Sequence, residues 1–334
     1  MTYTIEKVTT LIGARRYGDN DTNIGFILTD SRSLCFPEET LFFALKSERN
    51  DGHNYIPELY RRGVKNFVVT DVPKGYASDY PEANFLKVVN TLEALQRLAE
   101  RHRDEFNIPI VGITGSNGKT MVKEWLYQLL SPSMFVTRSP RSYNSQIGVP
   151  LSVWLMNEQT QVGVFEAGIS QPGEMLALRD IIQPTIAVLT NVGSAHQENF
   201  SSLEEKCREK LILFHDAETV VYDGDDEVIT KVVAEYPDYK GEKLFWSLKN
   251  PKAPFFVKSI EKQQSVSVIT YIYKGEVDSF SIPFIDDASI QNSIISAVVA
   301  SKLGISAEDI DKRMAKLEPV AMRLEVKVGQ HGCT

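Results

Sequence analysis

The chain has 334 residues, with 36 Lys and Arg against 44 Asp and Glu, a formal net charge of −8 and a pI near 5.3. A negative overall field repels nucleic acid and anionic membrane, and 43% apolar with 24% charged residues excludes a disordered or fibrous chain. The opening MTYTIEKVTT lacks the apolar core of a signal peptide and no stretch approaches the roughly 20 apolar residues of a membrane span, so a cytoplasmic protein with no membrane span and no nucleic-acid partner is expected.

At roughly 150 residues per domain the length predicts two or three domains. Residues 1–106 carry short strand-like runs, FILTDSR, TLFFAL, NFVVT and NFLKVV, with a helix predicted at NYIPELYRRG; this reads as a small N-terminal α/β domain. A helical stretch, TLEALQRLAERHRDEF, leads to a domain boundary placed near Asn107. From there the apolar runs IPIVGIT, QVGVFEAGI, TIAVLTNV and ETVVYDGDD alternate with helices starting near Lys119, Gly173, Ser202 and Asp226. That alternation predicts a mostly parallel sheet with helices on both faces and ligands at the carboxyl ends of its strands, over residues 107–320. Residues 243–285 are rich in β-branched and aromatic residues and are expected to add an antiparallel extension, followed by helices near 288–304 and 306–317 and a last strand-like run, RLEVKV. Cys35, Cys207 and Cys333 stand far apart without metal-ligand spacing and read as reduced, incidental thiols.

The sharpest motif is VGITGSNGKTMVKEW, residues 111–125: a buried strand, a glycine-hinged loop and a helix. Gly112, Gly115 and Gly118 let backbone wrap an anion while amides and the helix N-terminus point at it. Lys119 supplies a point charge for β and γ phosphates, and Thr120 offers a hydroxyl to Mg²⁺. The strict G-x-x-x-x-G-K-[ST] pattern would have glycine at Ile113; here it lies one place earlier, at Gly112. A P-loop-type site for a nucleoside triphosphate is expected, against the alternative of a chance turn before a helix.

Three further residues draw notice. Glu166 ends the apolar run QVGVFE, where a carboxylate could hold Mg²⁺ or be merely solvated. Asn191 and His196 follow the next strand, again at a ligand-binding edge, although a lone histidine can be purely structural. In the helix SLEEKCREKLILFHD, Leu203, Cys207, Lys210 and Phe214 fall on one stripe, while Lys206 reads as solvated. A lysine on an inward stripe either snorkels or, once desolvated and neutral, can take up CO₂ as a carbamate that would serve as a metal ligand; both readings stay open.

Taken together, TDSR at 29–32, LFFALKSERNDGH at 41–53, the phosphate loop, SYNSQIGVPLSVWL, FEAGISQPGEM, LTNVGSAHQENF and REKLILF resemble the Mur ligase family over nearly the whole chain. Within it they are most similar to the branch that joins D-Ala-D-Ala to UDP-N-acetylmuramoyl-tripeptide, with the diamino-acid-adding branch as the alternative inside the family and an ATP-switched binding module as the alternative outside it. The resemblance implies ATP as co-substrate and Mg²⁺ as cofactor. It implies nucleotide contacts from Gly115, Ser116, Asn117, Gly118, Lys119, Thr120, Asn191, Asn292 and Arg323. Metal ligands would be Thr120, Glu166, His196 and a carbamylated Lys210, with Lys119, His196 and Lys210 catalytic. Ser31 and Arg32 would hold the uridine diphosphate end of the substrate in a domain shaped by Asp51 and His53, and Ser142 and Asn144 would face the peptide.

The sequence departs from that branch at Ala167, where methionine is frequent, and at Ser145-Gln146, where Asn-Glu is common. Members of the family also continue into a third domain. With residues 321–334 reading as a hinge, the expectation is an incomplete ligase whose parent protein carries further domains downstream.

Overall fold

The computed structural model describes residues 1–193, 199–236 and 239–320. It divides into two compact units, one of residues 1–110, 137–169 and 173–183, the other of residues 111–136, 170–172 and 184 onward.

The first unit opens with β1 (Tyr3–Thr4), α1 (Ile5–Ile12), β2 (Arg15–Tyr17), β3 (Asn23–Ile24), β4 (Phe26–Leu28), β5 (Thr40–Phe43), α2 (Ile56–Arg61), β6 (Asn66–Val69), α3 (Tyr76–Asp79), β7 (Asn84–Lys87) and α4 (Thr91–Arg103). Helix α1, which no motif announced, is capped by the Thr4 side chain and stopped by Gly13 at φ 65°, and it buries Ile5, Val8 and Ile12 along one stripe. Strands β4, β5, β6 and β7 are parallel neighbours, with β2 antiparallel on β7. Both faces of this sheet are covered: Leu41, Phe43, Val68 and Leu86 enter one core, and Phe42, Phe67, Val69 and Phe85 the other.

The chain continues through β8 (Ile110–Thr114), α5 (Lys119–Leu130), β9 (Val136–Arg138), α6 (Gly148–Val153), β10 (Val162–Glu166) and α7 (Glu174–Ile182). Within the first unit α4, α6 and α7 pack on one another. Arg103 fastens this group, its buried guanidinium donating to the carbonyls of Ile182, Gln183 and Phe106 at 3.0, 3.0 and 2.7 Å. His102 beside it donates from Nε2 to the Met156 carbonyl at 3.1 Å, which leaves Nδ1 to accept from the Tyr3 hydroxyl at 2.8 Å. Desolvation holds this histidine neutral, its pKa down at about 4.

The second unit is completed by β11 (Ile186–Leu189), α8 (Leu203–Leu211), β12 (Thr219–Asp223), α9 (Glu227–Ala234), β13 (Glu242–Ser247), β14 (Phe255–Lys262), β15 (Ser267–Tyr273), β16 (Glu276–Ile282), α10 (Asp287–Lys302) and α11 (Ala307–Met314). Seven strands lying within it run in the order β16-β15-β14-β13-β12-β11-β8. Pairs from β8 to β14 are parallel; β14, β15 and β16 are antiparallel. The antiparallel extension therefore begins later than the composition of residues 243–285 suggested: β13 still follows a βαβ crossover through α9, and only the tight connections after β14 reverse the chain. Helices α5, α10 and α11 form one packed group and α8 with α9 another. Trp125 of α5 stacks on Phe284 and donates to the Glu318 carbonyl at 3.1 Å. The mixed α/β class with parallel-dominated sheets is the one the alternating pattern predicted.

Candidate functional site

Residues 115–118 connect β8 to α5 in the second unit, and their glycines are forced by neighbours. Gly115 has φ 147° and a Cβ there would overlap the Thr190 hydroxyl. Gly118 has φ 80° and a Cβ there would overlap the Asn292 amide oxygen. Asn292, on α10, is thereby placed against the loop, with its Nδ2 3.2 Å from Met121 Sδ.

A second segment, 190–193 after β11, is zipped to this loop. Ser116 N–H donates to the Asn191 carbonyl (3.0 Å) and Asn117 N–H to Asn191 Oδ1 (3.0 Å). Asn191 Nδ2 returns a bond to the Asn117 carbonyl (3.2 Å), which also accepts from the Thr190 hydroxyl (2.5 Å). Ser116 Oγ accepts from Gly193 N–H at 2.9 Å and donates to the Gly193 carbonyl at 3.2 Å. Two of the loop amides expected to face a phosphate are thus used to fix the loop's shape. An anion would be met by the N-terminal turn of α5 and by Lys119, whose Nζ rests on the Gly115 and Ser116 carbonyls at 2.8 and 3.3 Å. Thr120 lies in that same first turn.

Two more lysines come in from α8, Lys210 to the loop and Lys206 to the segment zipped onto it. Lys210 is only 2% exposed and donates to the Gly115 carbonyl at 3.2 Å. Burial, then the charges of Lys119 and Lys206, bring its pKa down to about 7, so a large share of its amine is neutral at physiological pH. Lys206, read from the sequence as solvated, is also only 2% exposed; its ammonium donates to the Gly193 carbonyl at 2.6 Å and lies 5.9 Å from the Phe200 ring centroid. The correction has a simple cause: α8 is covered by the 190–193 segment as well as by α9, so its buried face is wider than a single stripe.

Sequence reasoning placed Gly115, Ser116, Asn117, Gly118, Lys119, Asn191, Asn292 and Lys210 here, and the structure brings them together. It missed Thr190, Gly193 and Lys206, none of which has a side-chain signature of its own. His196 and Arg323 lie outside the described residues.

The other expected residues belong to the first unit. Glu166 ends β10 fully buried, its N–H donating to Ser139 Oγ at 3.2 Å. Asn144 packs against Gly168, where a Cβ would press on its amide, and its carbonyl accepts from Gly168 N–H at 2.8 Å, while Asn144 N–H reaches the Ser142 carbonyl at 2.9 Å. The departure at Gln146 is absorbed locally: its amide donates to the Glu174 carbonyl and accepts from Gln96.

Ser31 and Arg32 line a separate cleft of about 840 Å³ in the same unit, together with Thr29, Lys46, Asn50 and Tyr55. Its wall is set by an ordered chain. The Thr70 N–H donates to His53 Nε2 at 3.1 Å, which requires the proton on Nδ1, and Nδ1 donates to Asp51 at 2.6 Å. The His53 backbone N–H, and after it the ring bond, hold the Asp51 carboxyl below its ordinary range. Arg32 is clamped on Asp30, with Nη2 to Oδ2 at 2.6 Å and Nε to Oδ1 at 2.9 Å, and this guanidinium brings the Asp30 pKa down to about 2.

A glycine-forced loop with a lysine at its helix start, after the first strand of a parallel sheet, is the geometry of a phosphate-binding loop in general; what assigns it to a family is that the Mur ligase middle domain matches residues 113–300. The chain belongs to the Mur ligase family. The catalytic-domain description of the same family matches residues 23–103. Similar proteins include the UDP-N-acetylmuramoyl-tripeptide:D-alanyl-D-alanine ligase of Bacillus subtilis (strain 168), 28% identical over 321 residues covering 91% of this chain and 64% of that one. The ligase of that name from Synechocystis sp. is 34% identical over 235 residues, covering 69% of this chain and 50% of the relative. This Mur ligase chain therefore spans less than two thirds of these relatives. Among solved structures, MurF from Thermotoga maritima in complex with ADP is 26% identical with a TM-score of 0.77, covering 91% of this chain and 68% of that one. MurF from Acinetobacter baumannii shares the fold at a TM-score of 0.88 and 24% identity, covering 99% of this chain and 72% of that one. Among the described residues, no helix of this Mur ligase is long and apolar enough to cross a membrane.

Proposed function

We propose that this chain is the UDP-substrate- and ATP-binding part of a ligase that joins D-Ala-D-Ala to UDP-N-acetylmuramoyl-tripeptide in the cytoplasm. The name shared by the curated relatives supports the substrate pair, and the observation that carries the nucleotide half is the loop of residues 115–120 with Lys119 at the start of α5.

The chemistry follows from the difficulty of the reaction. A peptide carboxylate is anionic and resonance-stabilised, so an amine does not attack it. Transfer of the γ-phosphoryl group of ATP makes an acyl phosphate; the amine of D-Ala-D-Ala attacks its carbonyl, and the tetrahedral intermediate collapses with loss of phosphate. In this reading Lys119, released from the Gly115 and Ser116 carbonyls, moves its charge onto the transferring phosphoryl group, and the first turn of α5 meets the same oxygens. Gly118 allows the backbone to approach closely, and Asn191 and Asn292 hold the loop and the nucleotide in place.

For Mg²⁺ the donor chemistry is right at each position taken singly: the Thr120 hydroxyl of the second unit and the buried Glu166 carboxylate of the first are hard oxygen donors, and the ion needs only one or two such ligands because it keeps waters. His196 and a carbamate on Lys210 would complete the set. When bound, the ion would neutralise charge on the phosphates. The partly neutral Lys210 amine is the form that reacts with CO₂, so ¹³C NMR of the protein in ¹³C-bicarbonate buffer at neutral pH is expected to show a carbamate carbonyl that is missing in Lys210→Arg; absence of that signal from the wild type would remove the carbamate from the reading.

The cleft lined by Ser31 and Arg32 is assigned to the uridine diphosphate end, and Ser142 and Asn144 to the peptide. Calorimetric titration tests the whole proposal. Binding of both ATP and UDP-N-acetylmuramoyl-tripeptide is expected; binding of ATP alone would point to a nucleotide-switched module with no ligase role, and preference for a diamino acid over D-Ala-D-Ala in the full-length parent would reassign the branch.

A further inference from the structure

We propose that Lys206 is a positioning residue of the nucleotide site: its buried ammonium pins the Gly193 carbonyl and, through the paired Gly193–Ser116 hydrogen bonds, holds the phosphate loop in its binding shape. This rests on the nucleotide reading of residues 115–120 and adds a component that no loop motif contains.

The geometry is a relay of short contacts within the second unit. Lys206 Nζ donates to the Gly193 carbonyl at 2.6 Å. The same peptide segment exchanges two bonds with one hydroxyl, Gly193 N–H to Ser116 Oγ at 2.9 Å and Ser116 Oγ to the Gly193 carbonyl at 3.2 Å. Ser116 is the loop residue after Gly115, where a side chain is sterically barred, so its backbone cannot shift without losing the Asn191 bond as well. The ammonium is itself confined by burial and by the face of Phe200.

A lysine is poorly suited to such a place unless its charge is used, since an ordinary buried anchor could be an amide or a hydroxyl at lower desolvation cost. The charge has a second consequence, because Lys206 and Lys119 rest on carbonyls of the same two segments, at Gly193, Gly115 and Ser116. That concentration of positive charge favours a polyanion at the loop, so Lys206 would raise nucleotide affinity through the field as well as through the relay.

The test uses the full chain and calorimetric titration with ATP and Mg²⁺, and separately with UDP-N-acetylmuramoyl-tripeptide, alongside thermal unfolding. Lys206→Met keeps the length of the side chain and removes the charge and the donor. It is expected to weaken nucleotide binding about tenfold while leaving the UDP-tripeptide affinity unchanged; Lys206→Arg, which restores a charged donor, is expected to recover most of the loss. Because the two residues act in one relay, Lys206→Met combined with Ser116→Ala should cost little more than the worse single change. Wild-type nucleotide affinity in Lys206→Met would overturn the inference, as would an equal loss for both ligands with a lowered melting temperature, the mark of a purely structural lysine. Should Lys206→Met not fold, Ser116→Ala probes the relay from its other end, and unchanged nucleotide affinity there would also overturn it. A wild-type chain that bound no nucleotide would remove the nucleotide reading and this inference with it, whereas a nucleotide-binding wild type matched by Lys206→Met would remove the inference alone.

Discussion

The nucleotide loop and the Ser31–Arg32 cleft are built in opposite ways. The loop is six consecutive residues whose shape is dictated by two glycines, at positions where any side chain would strike Thr190 or Asn292. The cleft draws its walls from separated segments, around residues 29–32, 45–55, 70, 89–93 and 147, and holds them with side-chain bonds such as Asp51–His53–Thr70. A site of the first kind concentrates its function in few atoms, and single substitutions there should be severe. A site of the second kind spreads it, and single substitutions should be mild.

The largest expected effect is therefore at Lys119. Lys119→Ala removes the one charged donor at the start of α5 that the motif supplies, and nucleotide affinity measured by calorimetry is expected to fall on the order of 100-fold. UDP-tripeptide binding should be unchanged. Survival of nucleotide affinity would break the comparison at its root, because the loop would not then be the site.

The next effect separates the units by pH. His102 is buried in the first unit with its pKa at about 4, below the ordinary 6.5, so the unfolded chain binds the proton more readily between those values. Stability is full above pH 6.5 and is lost as the pH falls toward 4; between pH 7 and pH 5 the loss from this group is about 2 kcal/mol. Urea unfolding of wild type and His102→Gln at both pH values checks this, and the variant should lack that share of the slope. An equal slope in the variant would assign the pH dependence elsewhere.

How much of each region could be read in advance follows from the same contrast. Gly115, Gly118, Lys119 and the strand before them form a local pattern, and the alternation of apolar runs with helix starts from Lys119 to Asp226 was enough to set the parallel sheet. The zipping of residues 190–193 onto the loop was not legible, because the Ser116 and Thr190 hydroxyls and the Asn191 amide are matched to backbone groups of the facing segment, which every residue possesses and no spacing announces. Lys206 was misread since one helix stripe was counted where two segments cover α8. The placement of β13 parallel to both β12 and β14 depends on a crossover through α9 and was not to be told from composition, since β13 falls in the same stretch of residues 243–285 as the antiparallel β15 and β16. In the first unit, no spacing joins Ser31 to Thr70 or Glu93; only the β4-β5-β6-β7 order brings them to one cleft. Ser31 and Arg32 were reached through the resemblance carried by TDSR and not through any physical pattern.

Within the cleft, His53→Leu sharpens the comparison at an intermediate scale. It removes the acceptor of the Thr70 N–H and the partner of Asp51 together. UDP-tripeptide affinity is expected to fall about tenfold, with nucleotide affinity unchanged; a loss as severe as that at Lys119 would show that the cleft, too, depends on a single contact.

The smallest effect is expected at Asp30. Its carboxylate holds Arg32 through three nitrogen–oxygen contacts of 2.6 to 3.2 Å, but both side chains are well exposed, and solvent screens exposed pairs of this kind so that they contribute little. Asp30→Asn leaves Arg32 with its full charge for a diphosphate and removes one negative charge from the mouth of the cleft. UDP-tripeptide affinity is thus expected to rise, by about twofold to threefold at low salt, and the gain should vanish at high ionic strength because the interaction is screened. With Asp30 titrating only near pH 2, the wild type should show no trace of this group in its binding between pH 5 and pH 8. A loss in Asp30→Asn would instead mean that the carboxylate orients Arg32 for the ligand, and only a loss as severe as that at Lys119 would give the cleft the single-contact character of the loop.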